Sequence, residues 1–207
     1  SSDLKKSVTL EIEQPAARDA LARLAQRADI IIDSGTANDV ARRLELYREF
    51  QQANPRLIVC TITPFGLDGP WRDLAMTNLT QLALGGVMGV CGDDPRADGV
   101  YDMPPIAPEM WQAFHIAGEY AVIAIAAALN FRELTDTGDV IDLSIHEAVS
   151  TCTKVAMPTF IYNGAVVQRQ TGRHAAETRT RPWLRRTKDG RYVKAFLFWG
   201  GRDVRVI

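Results

Sequence analysis

Thr135-Asp136-Thr137-Gly138-Asp139-Val140-Ile141-Asp142-Leu143-Ser144-Ile145 decides the fold, because it joins a long helix of small residues to a short strand. Thr135 to Gly138 carries turn chemistry, and Asp139 to Ile145 alternates polar and apolar residues as a strand does. Upstream, the pattern predicts a helix from about Glu109 to Leu134. Gly118, Ala121, Ala124, Ala126, Ala127 and Ala128 leave little side chain around its axis. Such a helix is expected to be buried, with other backbone packed close against it. Pro104, Pro105 and Pro108 keep the segment before it out of the helix.

Working back toward the first residue, Ile30-Ile31-Ile32 and Leu57-Ile58-Val59-Cys60-Thr61-Ile62 are apolar runs, as in strands buried on both faces of a parallel sheet. Ser7 to Ile12 alternates and predicts a further strand. Between these runs lie two amphipathic helices. One begins at Pro15 and reaches about Ala28; the other is capped by Asn38 or Asp39 and reaches about Ala53. Strand–helix–strand–helix–strand with short loops predicts an α/β, doubly wound domain, whose ligands sit outside the carboxyl ends of the strands. The loop Thr63-Pro64-Phe65-Gly66-Leu67-Asp68-Gly69-Pro70 follows such an end. No GxGxxG is present, so the layout alone implies no dinucleotide.

Further on, Thr77 to Val90 predicts a helix broken at Gly85, Gly86 and Gly89, and His146 to about Tyr162 another, kinked or ended at Met157-Pro158. Asn163 to Thr180 turns polar and basic and is expected to be a solvated linker. Trp183–Thr187 and Tyr192–Phe198 read as a hairpin around Asp189-Gly190. The expected organisation is a partial large domain over 1–165, a linker over 166–182 and the start of a small α+β domain over 183–207. The chain opens on Ser1 without Met and closes inside a predicted strand, and is expected to be a fragment.

With 207 residues, 46% of them apolar and a net charge of −1, the chain can bury a core and is not a dedicated nucleic-acid binder. Cys60, Cys91 and Cys152 are scattered, as in reduced thiols of a cytoplasmic protein. No signal peptide is read, and the apolar run Tyr120 to Leu129 is too short to span a membrane, so it reads as a core helix. His146-Glu147 lacks a second His, with Ser150 at that position, so no metal site is expected. Cys60 has no base in its strand, and Ser144 and Ser150 lack a GxSxG context. The residues alone lead to a soluble, ligand-binding α/β protein.

Three stretches carry a resemblance beyond this. Asn54-Pro55-Arg56-Leu57-Ile58, Phe65-Gly66-Leu67-Asp68-Gly69-Pro70 and the run from Gly118 through Arg132-Glu133-x-Thr135-x-x-Gly138-x-Val140-Ile141-Asp142-Leu143-Ser144 resemble, in this order, the signature of the family III CoA-transferases (CaiB/BaiF, formyl-CoA transferase-like). Lys6-Ser7-Val8-Thr9-Leu10 and Ala28 to Ser34 are similar to the family's strand motifs. The resemblance implies a Rossmann-like large domain, a small domain and two interlocked chains, as a homodimer or with a homologue. It implies acyl-CoA and a small carboxylic acid as substrates and partners, with no permanently bound cofactor, nucleic acid or membrane.

The resemblance also implies covalent catalysis by an Asp that attacks the thioester. The matching position, four residues before Gly118, is Phe114, which cannot do this. Glu109, five positions earlier, and His115, turned about 100° from Phe114 on the same helix, are the substitute candidates. Related acyl-CoA racemases use a His where this chain has Thr77, just before Asn78. By the same resemblance Ser34, Gly35, Thr36, Arg42, Phe65, Gly66 and Asn78 are the expected CoA-binding residues. The loop Asp33 to Asn38 lacks the family's adenine-packing aromatic, and Arg42 matches an Arg beside the CoA phosphates. CoA transfer is the function implied. The alternatives are a degenerate CoA-binding or scaffold domain paired with an active homologue, and an acyl-CoA racemase.

Overall fold

The computed structural model describes residues 5–194, among which the chain divides into two compact units. The first holds residues 5–81 and 111–149, the second 82–110 and 150–194.

In the first unit the element order is α1 (Pro15–Ala25), β1 (Ile30–Ser34), α2 (Ala37–Ala53) and β2 (Ile58–Thr63). α3 (Asn78–Leu84) starts near the end of the unit's first segment. α4 (Gln112–Thr135) and β3 (Val140–Ser144) come next, and α5 (Ile145–Ser150) follows β3 directly. The three strands form one parallel sheet in the order β1-β2-β3, with Ile31 opposite Val59 and Cys60 opposite Ile141. The α/β architecture with a parallel sheet is therefore as expected from the apolar runs.

β2 is the central strand, and Ile58, Val59 and Cys60 are fully buried. One side of the sheet gathers Ile31, Val59 and Val140 with Ala25 of α1 and Leu44, Tyr47 and Phe50 of α2. Side chains alternate across a strand, so Ile58 and Cys60 point to the opposite side, where α4 packs along β2 and β3. Burial raises the Cys60 thiol above its ordinary value, consistent with a packing role.

Three expectations change here. Ser7 to Ile12 forms no strand, because no ladder among the described residues reaches it and most of it is exposed, whatever its alternation. Among the described residues β1 is at the edge of the sheet, and Ile32 is 60% exposed rather than buried on both faces. The long helix starts at Gln112, not Glu109, because Met110 and Trp111 hold positive φ of 66° and 57°. It is also buried on one face only. Ala113, Ala117, Ala121, Ile125, Ala128 and Arg132 recur at helical spacing against the sheet, while Val122, Ile123 and Phe131 are exposed. By length and composition alone this 24-residue helix could cross a membrane, which the shorter run Tyr120 to Leu129 did not foretell.

The second unit contains α6 (Ala156–Asn163) and the antiparallel hairpin of β4 (Leu184–Arg186) and β5 (Tyr192–Lys194), which turns at Gly190 with φ +81°. The predicted strand residues beyond Lys194 lie outside the described residues. The helix expected to run on from His146 is instead broken. A 3₁₀ turn at Thr151–Thr153 precedes α6, and Pro158 sits in α6's first turn, where a missing N–H costs little. The basic segment after Asn163 is not simply solvated. Arg169 is buried over the Tyr101 ring at 3.7 Å and donates to the Met103 carbonyl at 2.6 Å. Arg173 is buried against Asp94 at 2.9 Å and Gln170 at 2.8 Å. Buried guanidinium groups persist only with such partners.

Candidate functional site

A cavity of about 840 Å³ opens in the first unit at the carboxyl ends of β1 and β2. Three pieces of chain form it: the β1–α2 turn from Ser34 to Asn38, the segment Arg72 to Met76, and Phe114, Ala117 and Gly118 on one side of α4. Ile62, Pro64 and Ile145 complete the lining.

The β1–α2 turn is fixed from both sides. Asp33 takes two hydrogen bonds from Arg43, at 2.7 and 2.8 Å, and one from the Tyr47 hydroxyl at 3.2 Å. Burial, then the Asp33 charge, pushes the Tyr47 phenol up to about 12, so it stays a neutral donor. Thr36, rather than Asn38 or Asp39, caps α2. Its hydroxyl accepts from the Asp39 N–H at 3.3 Å and donates to the Asp39 carboxylate at 2.7 Å. That hydroxyl, followed by Arg42, holds Asp39 below the usual carboxylate range. Replacing Thr36 by Ala is expected to cost about 1 kcal/mol, read as a lower denaturation midpoint with an unchanged m-value.

The second wall is set by the loop after β2. Gly66 has φ +89°, a conformation in which a side chain is strained, and lets the loop turn back over β3. Asp142 accepts the Leu67 N–H at 2.9 Å, Gln81 donates to the Pro64 carbonyl at 2.9 Å, and Phe65 packs with Trp71 and His146 at 6.0 and 5.5 Å. Burial lowers the His146 pKa, favouring a neutral ring within this aromatic group. Beyond the loop, Arg72 donates to the Asn38 side-chain oxygen at 2.8 Å.

The third wall starts where Asn78 accepts the Ala113 N–H at 3.0 Å, which anchors the first turn of α4. Phe114 follows, 40% exposed and in the lining.

Of the sequence-predicted residues, Ser34, Gly35, Thr36 and Phe114 line the cavity together. Arg42 lies farther along α2, exposed and paired with Asp39 at 2.5 Å. Phe65, Gly66 and Asn78 shape the walls without lining them. His115 is exposed and outside the lining, and Glu109 falls on an exposed loop of the second unit. Thr77 is tied to Thr80 at the start of α3. Arg72 and Asp73, the only charged side chains of the lining among the described residues, were not singled out from the sequence. Their position just past a loop at a strand's carboxyl end was the available signal.

The match to CoA-transferase family III covers residues 4–197. The chain belongs to this family. It is 28% identical over 190 residues to the succinyl-CoA–L-malate CoA-transferase beta subunit of Chloroflexus aurantiacus, covering 91% of this chain and 45% of that protein. It is 31% identical over 150 residues to human alpha-methylacyl-CoA racemase, covering 70% of this chain and 37% of that protein. A CaiB/BaiF family protein from Brucella suis superimposes with a TM-score of 0.72 at 27% identity, over 80% of this chain and 42% of the other. The family III chain thus spans less than half the length of these relatives.

Proposed function

We propose that this chain supplies the acyl-CoA cavity of a CoA-transferase that moves CoA from an acyl-CoA donor to a carboxylic acid. The observation that carries the reading is the cavity itself. It joins the β1–α2 turn, which stands where the resemblance puts the family's CoA-binding loop, to the α4 position where it puts the nucleophile. The cavity is polar from Ser34 to Asn38 and at Arg72, and apolar along Leu74, Ala75, Phe114 and Ile145. That division suits a ligand with a charged nucleotide end and a thioester carrying an acyl group. The polar turn binds and orients, while the apolar wall keeps water from an activated acyl group.

Covalent transfer also needs a carboxylate at the thioester carbon. Phe114 cannot provide one, and among the described residues the cavity's only carboxylate is Asp73. A second reading therefore stands beside the first, favoured by Phe114: the chain is the CoA-binding member of a pair whose other chain brings the nucleophile. The first relative's name, a beta subunit, is in keeping with such pairing, as is the interlocked dimer implied by the family signature.

The test has two parts, CoA binding by calorimetry and transfer of labelled CoA from succinyl-CoA to a panel of acids, alone and with a co-encoded homologue. CoA is expected to bind. Transfer by the isolated chain that survives Phe114→Ala and is lost in Asp73→Asn supports the first reading with Asp73 as nucleophile; loss in Glu109→Gln instead assigns that role to Glu109. Transfer only on adding the homologue supports the second. A chain that neither binds CoA nor transfers it alone or in the pair sinks both.

A further inference from the structure

Arg72 is the one cationic side chain of the cavity lining among the described residues. Its side chain is only 30% exposed, and its Nη2 is held at 2.8 Å by the Asn38 side-chain oxygen, which fixes the guanidinium plane against the first turn of α2. The rest of the group is under-satisfied. Nε is buried without a hydrogen-bond partner among the described residues, and Nη1 lies 3.7 Å from Asp73, beyond hydrogen-bonding distance. Asp73 is 64% exposed, so solvent screens much of its charge from Arg72. A guanidinium hydrogen-bonded by one neutral acceptor, with donors to spare at the edge of a cavity, is suited to an oxyanion, because charge-assisted N–H···O bonds are about twice as strong as neutral ones.

We propose that Arg72, positioned by Asn38, is the anion-recognising side chain of this cavity and binds a phosphate or carboxylate oxygen of the substrate. Arg42, the expected phosphate contact, pairs with Asp39 on the exposed surface of α2 outside the lining, whereas Arg72 is in the lining, beside the β1–α2 turn at Asn38. Both anions belong to the proposed reaction, the phosphates on CoA and the carboxylate on the acceptor acid. The inference therefore rests on the CoA reading of the cavity.

Calorimetry of the 207-residue chain with CoA, pantetheine and succinate tests it. Arg72→Gln is expected to weaken CoA or succinate by about 10- to 100-fold, the scale of one lost charge-assisted bond. Arg72→Lys should fall between, since it keeps the charge but loses the planar fork. Asn38→Asp is the second variant: it leaves Arg72 in place, neutralises it with a carboxylate at the same position, and should weaken the same ligand. Loss confined to CoA, with pantetheine unchanged, assigns the phosphates; loss confined to succinate assigns the acceptor carboxylate. Wild-type binding that all three variants retain within about twofold overturns the role of Arg72 and leaves the CoA reading intact. A wild-type chain that binds neither CoA nor succinate overturns both.

Discussion

Phe114→Asp is expected to give the chain a covalent CoA adduct at position 114, where the wild-type phenyl ring can form none. The substituted position is in the cavity lining and 40% exposed, so a carboxylate there keeps part of its hydration. It is also in the first turn of α4, where the helix dipole favours negative charge by about 0.3–1 kcal/mol. Stability should therefore hold. Removing a nucleophile that acts as part of a unit costs about 10⁴- to 10⁶-fold, and misplacing one by about 1 Å costs about 10². A roughly placed carboxylate at this position should then raise turnover by about 10²- to 10⁴-fold. Mass spectrometry after mixing with succinyl-CoA checks the adduct, and a labelled-CoA exchange assay checks the rate. An intact, CoA-binding variant with no adduct would show that Phe114 does not stand where the chemistry occurs.

Gly138→Ala is expected to abolish stable folding of the first unit. A Cβ at Gly138 would overlap the Leu57 carbonyl group outright and lie 2.8 Å from the Arg56 carbonyl carbon. Those atoms are backbone and cannot swing aside. Leu57 is fully buried, and the Gly138 N–H is already bonded to the Pro55 carbonyl at 2.7 Å. Overpacking of ordinary side chains costs about 1–3 kcal/mol, and a clash with fixed backbone belongs above that range, against a whole-domain stability of about 5–15 kcal/mol. Thermal melting by circular dichroism should show a drop of at least about 6–12 °C, or no cooperative transition. Gly118→Ala is the control. It meets nothing within 4 Å and sits inside α4, so it should be neutral or stabilising by about 0.5–1 kcal/mol.

Where burial decides the structure, the residues spoke clearly. Leu57 to Ile62 is apolar because β2 is covered on both faces, and the run could be read as a central strand. Ile30 to Ile32 looks the same in composition, yet among the described residues its strand ends the sheet, and no local pattern tells an edge from a centre. Ser7 to Ile12 alternates convincingly, but a strand also requires a partner. Arg169 and Arg173 read as solvated charges because their partners Met103, Tyr101 and Asp94 are 66, 68 and 79 positions away in sequence. For the cavity, the loop after β2 pointed to the right strand end. The lining charges come from Arg72 and Asp73 just beyond it, in a stretch with no motif of its own.

The motif around Pro55 and the one around Gly138 are one joint in the folded chain. Arg56 pairs with both Glu133 and Asp136, and Gln51 reaches the Leu57 and Asp139 carbonyls from α2. None of these residues borders the cavity. The part of the fingerprint at this joint is therefore a hinge-pin of the scaffold, and it carries no information about the side chains that line the cavity. A chain can keep its lineage fully readable at this joint whatever side chain stands at Phe114.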